Sequence, residues 1–408
     1  MDERVILHCD LNNFFASVAS IGHPELRGVP MAVCGSIEER HGIVLANNYP
    51  AKAAGIKTAM TVVEALRLCP RLICVKPDYR AYMEYSRKVQ EIYACYTDQI
   101  EPFGIDECWL DVTGSERLFG DGQEIAHRLR GEVKRNFDLT ISVGVSFCKV
   151  MAKLGSDMKK PDAVTAIEKA YLPTKVWPLP VGDLFGIGRH TREKLCDLGI
   201  YTIGQLANTD PNVLKTKFGK IGLQMWQFAN GKEVSPVRKW GECDPPKSVS
   251  RSTTCKEDLT NARQVRQVLV GLTEQVSADL RRHGFYAGKI SLYFRDKNLA
   301  WCSRQSTLDL PTRLVKPMVD TAMALLEENW SGIPLRSVGM GASNLIPQTS
   351  PIQTGLFFDF ADLERKERLE AKVDELRDKM GRDTITRASQ LLDPLHVKLG
   401  SSFGHIQF

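Results

Sequence analysis

The sequence contains no C-x-x-C pair, no cluster of histidines at ligand spacing and no apolar run long enough to span a membrane. Its 11 cysteines are an odd number and lie scattered singly. That pattern excludes a disulfide framework or a zinc module and suits reduced thiols packed as small hydrophobes. The opening Met-Asp-Glu-Arg runs directly into an apolar strand without a signal-peptide pattern, so a cytoplasmic chain with no membrane contact is expected. No Walker A sequence occurs, which removes support for an ATP-driven motor. A strong excess of either charge is also missing. Net charge is +5 over 408 residues, with 43% apolar and 25% charged residues, as in ordinary globular proteins. This length predicts two to four domains.

The small positive charge is unevenly spread. Between Lys247 and Arg313 there are twelve Lys/Arg and six Asp/Glu, so the rest of the chain is close to neutral. A basic segment on a neutral body points to a local polyanion contact or to a solvated basic face. Acidic residues are concentrated elsewhere. Residues 101–113 read Glu-Pro-Phe-Gly-Ile-Asp-Glu-Cys-Trp-Leu-Asp-Val-Thr. The Pro and Gly followed by alternation at Cys108, Leu110 and Val112 predict a hairpin with Asp106 and Glu107 at its mouth. Neighbours on a regular strand face opposite sides, but a bent apex can aim both at one cation. Two adjacent carboxylates stay ionised only with a cation or donor opposite; the plain alternative is a solvated turn. A second apolar strand, residues 5–10, delivers Asp10 at its tip. Two acidic strand tips suit hard Mg²⁺, which takes one or two carboxylates plus substrate phosphates.

Further along, 31–35 and 42–46 read as a strand pair, 61–69 as a helix and 72–75 as a strand. The stretch is rich in Gly and Ala and suits a small lid. Tyr49 and Lys52 are three apart, one helical turn, and can share a face. Residues 79–97 carry a helical stripe of tyrosines expected to be core packing. A helix at 122–137, a strand at 140–146 and a basic helix at 148–159 follow, the last ending in Lys159 and Lys160 before Pro161. At 183–207, Gly186 and Gly188 sit between two short helices in a pattern similar to a helix-hairpin-helix, whose glycines let backbone N–H groups approach a DNA phosphate. After a linker at 239–247, residues 248–345 give the order β-α-β-β-α-β, ferredoxin-like. One sheet face is expected to meet the helices and the other, with Arg251, Lys289, Arg295 and Arg304, to lie on a duplex backbone. Gln353-Thr-Gly-Leu356-Phe357-Phe resembles the Q-x-x-L-F peptides that dock on bacterial sliding clamps, and 361–380 predict a highly charged amphipathic helix.

Four co-linear motifs carry a wider resemblance. They are D-L-N-N-F-F-A-S-V from Asp10, N-Y-P-A-K-A-A-G-I-K-T-A-M at 48–60, G-I-D-E-C-W-L-D at 104–111 and S-V-G-V-S-F-C-K-V-M-A-K-L-G-S-D-M-K-K-P at 142–161. Together they resemble the signature of the Y-family translesion DNA polymerases, closest to the bacterial polymerase IV type. The resemblance implies an α/β (α+β) right-hand polymerase: palm at 1–20 and 79–170, fingers at 21–78, a helix-hairpin-helix thumb at 171–238, a little finger at 248–346 and a tail at 347–408. It implies that Asp10, Asp106 and Glu107, with the Leu11 carbonyl, hold two Mg²⁺ ions. It places Phe14, Phe15, Tyr49, Lys52 and Lys160 at the nucleotide, with Phe15 as the steric gate under the deoxyribose; Phe14 read alone is core. Primer-template DNA, deoxynucleoside triphosphates and a sliding clamp are the implied partners of a monomer.

The match has departures. Asn12 stands where Asp is common, Gly104 where Ser precedes the acid pair, Lys52 where Arg is usual and Ala19 where Glu closes the first motif. Lys52 keeps the charge but loses the planar fork of Arg. Two other readings stay open on sequence: a catalytically silent helix-hairpin-helix DNA-binding protein, and a two-metal nuclease.

Overall fold

A computed structural model describes residues 4–36, 42–242, 244–351, 360–381, 384–388 and 405–407. The chain divides into two compact units, Met1–Gly35 with Gly42–Glu242, and Ser36–His41 with Cys243–Phe408.

In chain order the first unit runs β1 (Ile6–Leu11), α1 (Phe14–Ala19), β2 (Met31–Cys34), β3 (Val44–Asn47), α2 (Tyr49–Ala53), α3 (Val62–Leu68), β4 (Ile73–Val75), α4 (Tyr79–Tyr93), β5 (Ile100–Pro102) and β6 (Glu107–Asp111). It continues with α5 (Glu116–Phe119), α6 (Gly122–Phe137), β7 (Ile141–Ser146), α7 (Lys149–Met158), β8 (Val164–Ile167), α8 (Arg189–Asp197), α9 (Ile203–Asn208), α10 (Pro211–Phe218) and α11 (Lys220–Ala229). Strands β5-β6-β1-β7-β8 form one sheet and β3-β2-β4 a smaller one. The smaller sheet closes over its own core of Val44, Ile56, Val62 and Leu72, while α8–α11 pack around Leu195, Ile203, Leu214 and Met225.

Strand β1 is fully buried but sorts its side chains by parity. Leu7, Cys9 and Leu11 enter the core that also holds Val89 of α4 and Ile125 and Leu129 of α6. Ile6, His8 and Asp10 face the other way, onto α7. On that side β7 presents only Ser142, Gly144 and Ser146 opposite Asp10, His8 and Ile6. The small residues let α7 lie close: a Cβ on Gly144 would come 1.8 Å from the Ala152 carbonyl oxygen.

The second unit runs β9 (Ser248–Leu259), α12 (Ala262–His283), β10 (Phe285–Asp296), β11 (Trp301–Thr312), α13 (Val315–Asn329), β12 (Leu335–Pro347), α14 (Phe360–Met380) and β13 (His405–Gln407). Its antiparallel sheet has the order β11-β10-β12-β9-β13. The β-α-β-β-α-β element order follows the sequence reading, and each helical crossover steps over one strand. Helix α12 begins at Asn261, whose side chain accepts from the Gln264 N–H, and ends at Gly284 with φ 71°, after Arg281, Arg282 and His283 in its last turn.

Two of the four basic residues expected on the open face lie on the helix side instead. Arg251 is the cross-strand partner of Met340, a core residue, and Arg304 the partner of Leu292. Cross-strand partners share a face. Arg251 is accordingly buried in an ion pair with Asp279 of α12, and Arg304 Nε donates to Asn329 Oδ1 of α13 at 2.8 Å. Lys289 and Arg295 do lie on the helix-free face, among small residues such as Ser250, Ser252, Gly339 and Gly341. Helix α14 attaches through charge. Arg281 pairs with Glu370 at 2.8 Å and Asp374 at 2.6 Å, Arg313 with Glu367 at 2.8 Å, Arg377 with Glu274 at 3.2 Å, and Arg387 with Glu274 at 2.6 Å and Glu370 at 3.2 Å. Its predicted apolar face is only half used, since Leu369 stays 65% exposed.

Candidate active site

Asp10 and Glu107 are direct cross-strand partners at the ends of β1 and β6, so both carboxylates leave the sheet on the α7 side. Asp106 stands just before β6, in the turn opened by Gly104 at φ 83°. A Cβ at residue 104 would meet nothing closer than Asp106 Oδ1 at 3.8 Å, so the glycine answers a backbone angle and not a lack of space. The Asp106 carbonyl accepts from the Leu11 N–H at 3.0 Å, tying the two acidic tips together. All three acids line one cavity of about 310 Å³, with Leu11, Phe14, Phe15, Tyr49, Lys52 and Lys160 also in its wall. Every residue assigned by sequence to metal or nucleotide therefore lies around a single space.

The charges there are out of balance. Lys153 Nζ lies 2.9 Å from Glu107 Oε1 and 3.5 Å from Asp10 Oδ2, and Lys160 Nζ lies 2.7 Å from Asp10 Oδ2. Among the described residues no ion pair reaches Asp106. Burial, then the charges of Asp10 and Glu107, push its carboxyl up to about 6. Burial also raises Asp10, against the pull of Lys160. Glu107 is held below the usual carboxylate range: burial opposes this, but His8 and Lys153 prevail. His8 itself is fully buried, its Nδ1 2.8 Å from Ser156 Oγ, and burial lowers its pKa. Its Nε2 faces Glu107 Oε2 at 3.4 Å, and both atoms lack a hydrogen-bond partner.

The opposite wall suits phosphate and sugar. The Lys52 ammonium sits 5.0 Å from the Tyr49 ring centroid and bonds Asn13 Oδ1. Helix α7 ends at Met158, one residue sooner than the sequence pattern suggests; Lys159 is already extended, and Lys160, the residue before Pro161, is held out of the helical region. The extended Lys159 lets Lys160 reach back to Asp10. Asn12 braces this turn, its Oδ1 accepting from the Asp162 N–H at 2.9 Å and its Nδ2 donating to Ser142 Oγ at 3.0 Å. Phe14 is 3% exposed and belongs to the core as well as to the cavity wall. Phe15 lies flat on Tyr82, centroids 4.1 Å apart and planes 5° from parallel. The tyrosine stripe of α4 is thus core, as its periodicity indicates, and at Tyr82 it also backs the cavity wall.

Lys153, Asp157 and His8 escaped the sequence reading. A lysine four residues before an acid on one helix, and a histidine two before Asp10 on one strand face, were the available signals. Gly186, at φ 86°, and Gly188, the N-cap of α8, have open space where a Cβ would point. The segment before them is a single 3₁₀ turn, Val181–Asp183, where the sequence suggested a helix. Gln353, Leu356 and Phe357 lie outside the described residues.

The donor set fits a hard divalent ion. Among the described residues Asp106 has no ion pair and Glu107 Oε2 has no hydrogen-bond donor, while ammonium groups stand on Glu107 Oε1 and Asp10 Oδ2. Among the described residues, no three of His, Cys, Asp and Glu are drawn into a closed ligand set as they stand.

The chain is similar to known proteins. Residues 9–157 match the impB/mucB/samB family and 246–356 that family's C-terminal domain, while 182–233 match the thumb domain of DNA polymerase-iota. The DNA polymerase IV of Acetivibrio thermocellus is 44% identical over 96% of this chain and 98% of its own length. The chain belongs to the Y-family of DNA polymerases. The DNA polymerase IV 1 of Bacillus subtilis is 35% identical over 98% of this polymerase and 96% of its own length. A solved Y-family DNA polymerase chimera has a TM-score of 0.75 at 24% identity, covering 84% of this chain and 99% of its own. A Dbh ternary complex has a TM-score of 0.60 at 23% identity over the same shares. Both show the fold. This polymerase is a DNA-directed DNA polymerase of the translesion class, with palm, fingers, helix-hairpin-helix thumb and little finger, and its family uses divalent metal ions.

Proposed function

We propose that this polymerase extends a primer by two-metal phosphoryl transfer, with Asp10, Asp106, Glu107 and the Leu11 carbonyl holding two Mg²⁺ ions. The single observation that carries the reading is Asp106: a half-buried acid beside two others, pushed up to about 6 and facing a cavity. When bound, the ions lower the pKa of the primer 3′-hydroxyl and neutralise the leaving pyrophosphate. The chain's own residues position the rest. Lys160, Tyr49 and Lys52 grip the triphosphate, and Phe15, braced by Tyr82, excludes a 2′-hydroxyl.

We assign the palm to 1–20 and 79–170, fingers to 21–78, thumb to 171–238, a linker to 239–247, little finger to 248–346 and a tail to 347–408. Gly186 and Gly188 approach a DNA phosphate. Lys289 and Arg295, on the helix-free face of the second sheet, approach a duplex backbone; Arg251 and Arg304 do not. Gln353, Leu356 and Phe357 dock a monomeric polymerase on a sliding clamp in the bacterial cytoplasm, a reading supported by the peptide pattern alone. Primer extension with one nucleotide at a time tests the centre of this proposal. The wild type adds the templated base only with Mg²⁺, and Asp106→Ala binds the primer-template without extending it. Near-normal extension by Asp106→Ala at saturating Mg²⁺ overturns the assignment.

A further inference from the structure

The acids at the strand tips already carry cations. Lys153 holds Glu107 and Asp10, and Lys160 holds Asp10 Oδ2 at 2.7 Å. A divalent ion arriving on these carboxylates competes with the ammonium groups for the lone pairs of Asp10 Oδ2 and Glu107 Oε1 and repels them. Metal on the acids therefore weakens the hold that both lysines have there. Lys153, only 13% exposed, is not free to swing into bulk water at no cost, while Lys160, 33% exposed, stands nearer the solvent. An ammonium displaced in such a place needs another acceptor.

One acceptor already touches both. Asp157 gives Oδ2 to Lys153 at 3.2 Å and Oδ1 to Lys160 at 2.9 Å. It lies one helical turn after Lys153 and three residues before Lys160, at the end of α7, and is 46% exposed, away from the cavity wall. Its two oxygens are thus divided between the two lysines whose other contacts are Asp10 and Glu107. We propose that Asp157 is a positioning residue that takes over the ammonium groups of Lys153 and Lys160 as divalent ions replace them on Asp10 and Glu107. The exchange leaves Lys160 beside the metals with its charge paired and a proton donor to spare for a triphosphate. This inference rests on the reading of Asp10 and Glu107 as metal ligands.

Mn²⁺ binding to the full chain without DNA, followed by the electron paramagnetic resonance of free Mn²⁺, tests it. Lys153→Gln removes a competitor and tightens binding several-fold, whereas Lys153→Arg keeps the charge and loosens that gain. Asp157→Asn weakens binding by about tenfold, the scale of one charge-assisted hydrogen bond. In the Lys153→Gln background the Asp157→Asn effect shrinks by at least half, because one of its two clients is gone. The same variant raises the KM for a deoxynucleoside triphosphate more than it lowers kcat. An Asp157→Asn effect of equal size in both backgrounds makes Asp157 a generic negative charge and overturns the proposal, as does no effect at all. Asp106→Ala separates the two layers. If it leaves Mn²⁺ binding unchanged, the ligand assignment fails; if it weakens binding and Asp157→Asn does not, only the exchange fails.

Discussion

Around the tips of β1 and β6, two ammonium groups, those of Lys153 and Lys160, pair with Asp10, Glu107 and Asp157, and a fourth carboxylate, Asp106, stands beside them without an ion pair among the described residues. Beneath α14, four guanidinium groups serve four carboxylates, Arg281, Arg313, Arg377 and Arg387 against Glu274, Glu367, Glu370 and Asp374. Both clusters are largely buried, both join a helix to a neighbouring element, and both are built from long basic side chains. They differ in sum and in what they face. The first is short of two positive charges and opens on a cavity; the second balances charge for charge and closes a helix onto a helix. A buried ionic cluster that balances is a structural joint, and one that leaves a deficit at a cavity is a place for a mobile cation. Arginine suits the joint, where planar forks fix geometry, and lysine suits the site, where a point charge must let go.

The largest effects should come from changing the deficit. Asp106→Asn is expected to slow nucleotide addition by about three orders of magnitude or more, the scale of removing a metal-centred charge stabilisation. The same change should make the protein more stable. Asp106 has a folded pKa near 6 against an ordinary 3.8, so the native state holds its proton more tightly than the unfolded chain. Its stabilising contribution is complete below about pH 4 and is lost as pH rises through 6. At pH 7.5 in EDTA, Asp106→Asn is then about 2 kcal/mol more stable than wild type, with no difference near pH 4. Equal denaturation midpoints at pH 7.5 would remove the deficit from the argument.

Cutting the balanced cluster should do the reverse. Arg281 is 10% exposed and its partners Glu370 and Asp374 15% and 20%. Arg281→Ala strands Asp374, leaves Glu370 to Arg387 alone and should cost about 2–4 kcal/mol in the denaturation of the second unit, with single-nucleotide addition within about twofold of wild type. A large loss of nucleotide addition at unchanged stability would give the α14 joint a catalytic role. The uncharged wall of the cavity comes next. Phe15→Ala opens the space in front of Tyr82, and the ratio of kcat/KM for matched deoxy- and ribonucleotides should fall by about ten- to a hundredfold; an unchanged ratio returns Phe15 to core packing. The smallest effect belongs to the exposed Arg87–Glu91 pair on α4, 64% and 47% exposed. Arg87→Ala should shift stability by no more than about 0.5 kcal/mol, which sets the floor against which Arg281 is read.

Much of this was legible in the chain. The β1 tip, the 101–113 hairpin, Tyr49 and Lys52 in one helical turn, and the β-α-β-β-α-β order all express local periodicity and turn chemistry, which sequence carries directly. What was misread needed register or reach. Arg251 and Arg304 look like surface charge, but a strand's parity is set by its partner, and the partners Met340 and Leu292 are core. Lys153 and Asp157 look like an ordinary solvated helix pair until α7 is seen lying on β1. Lys160 was placed in the last turn of a helix that in fact stops at Met158, because Pro161 acts one residue upstream of itself. Ala19 closes α1 and packs beside Leu26 and Met31, and nothing in the structure explains why that position is not Glu.

Gly144 sets a tolerance for all of this. The stand-off between β7 and α7 is fixed by a hydrogen where any other residue would carry a carbon 1.8 Å from a backbone oxygen and 2.5 Å from the Ser156 nitrogen. A methyl group there must lift the helix, and the helix carries Lys153, Ser156 and Asp157 as one rigid piece. Position 144 is not part of the cavity wall, yet any drift in it would be felt as a miscalibrated distance between ammonium and carboxylate. Over evolutionary time, residues 10, 107, 144, 153 and 157 are therefore expected to be inherited as a block, with the glycine as its gauge.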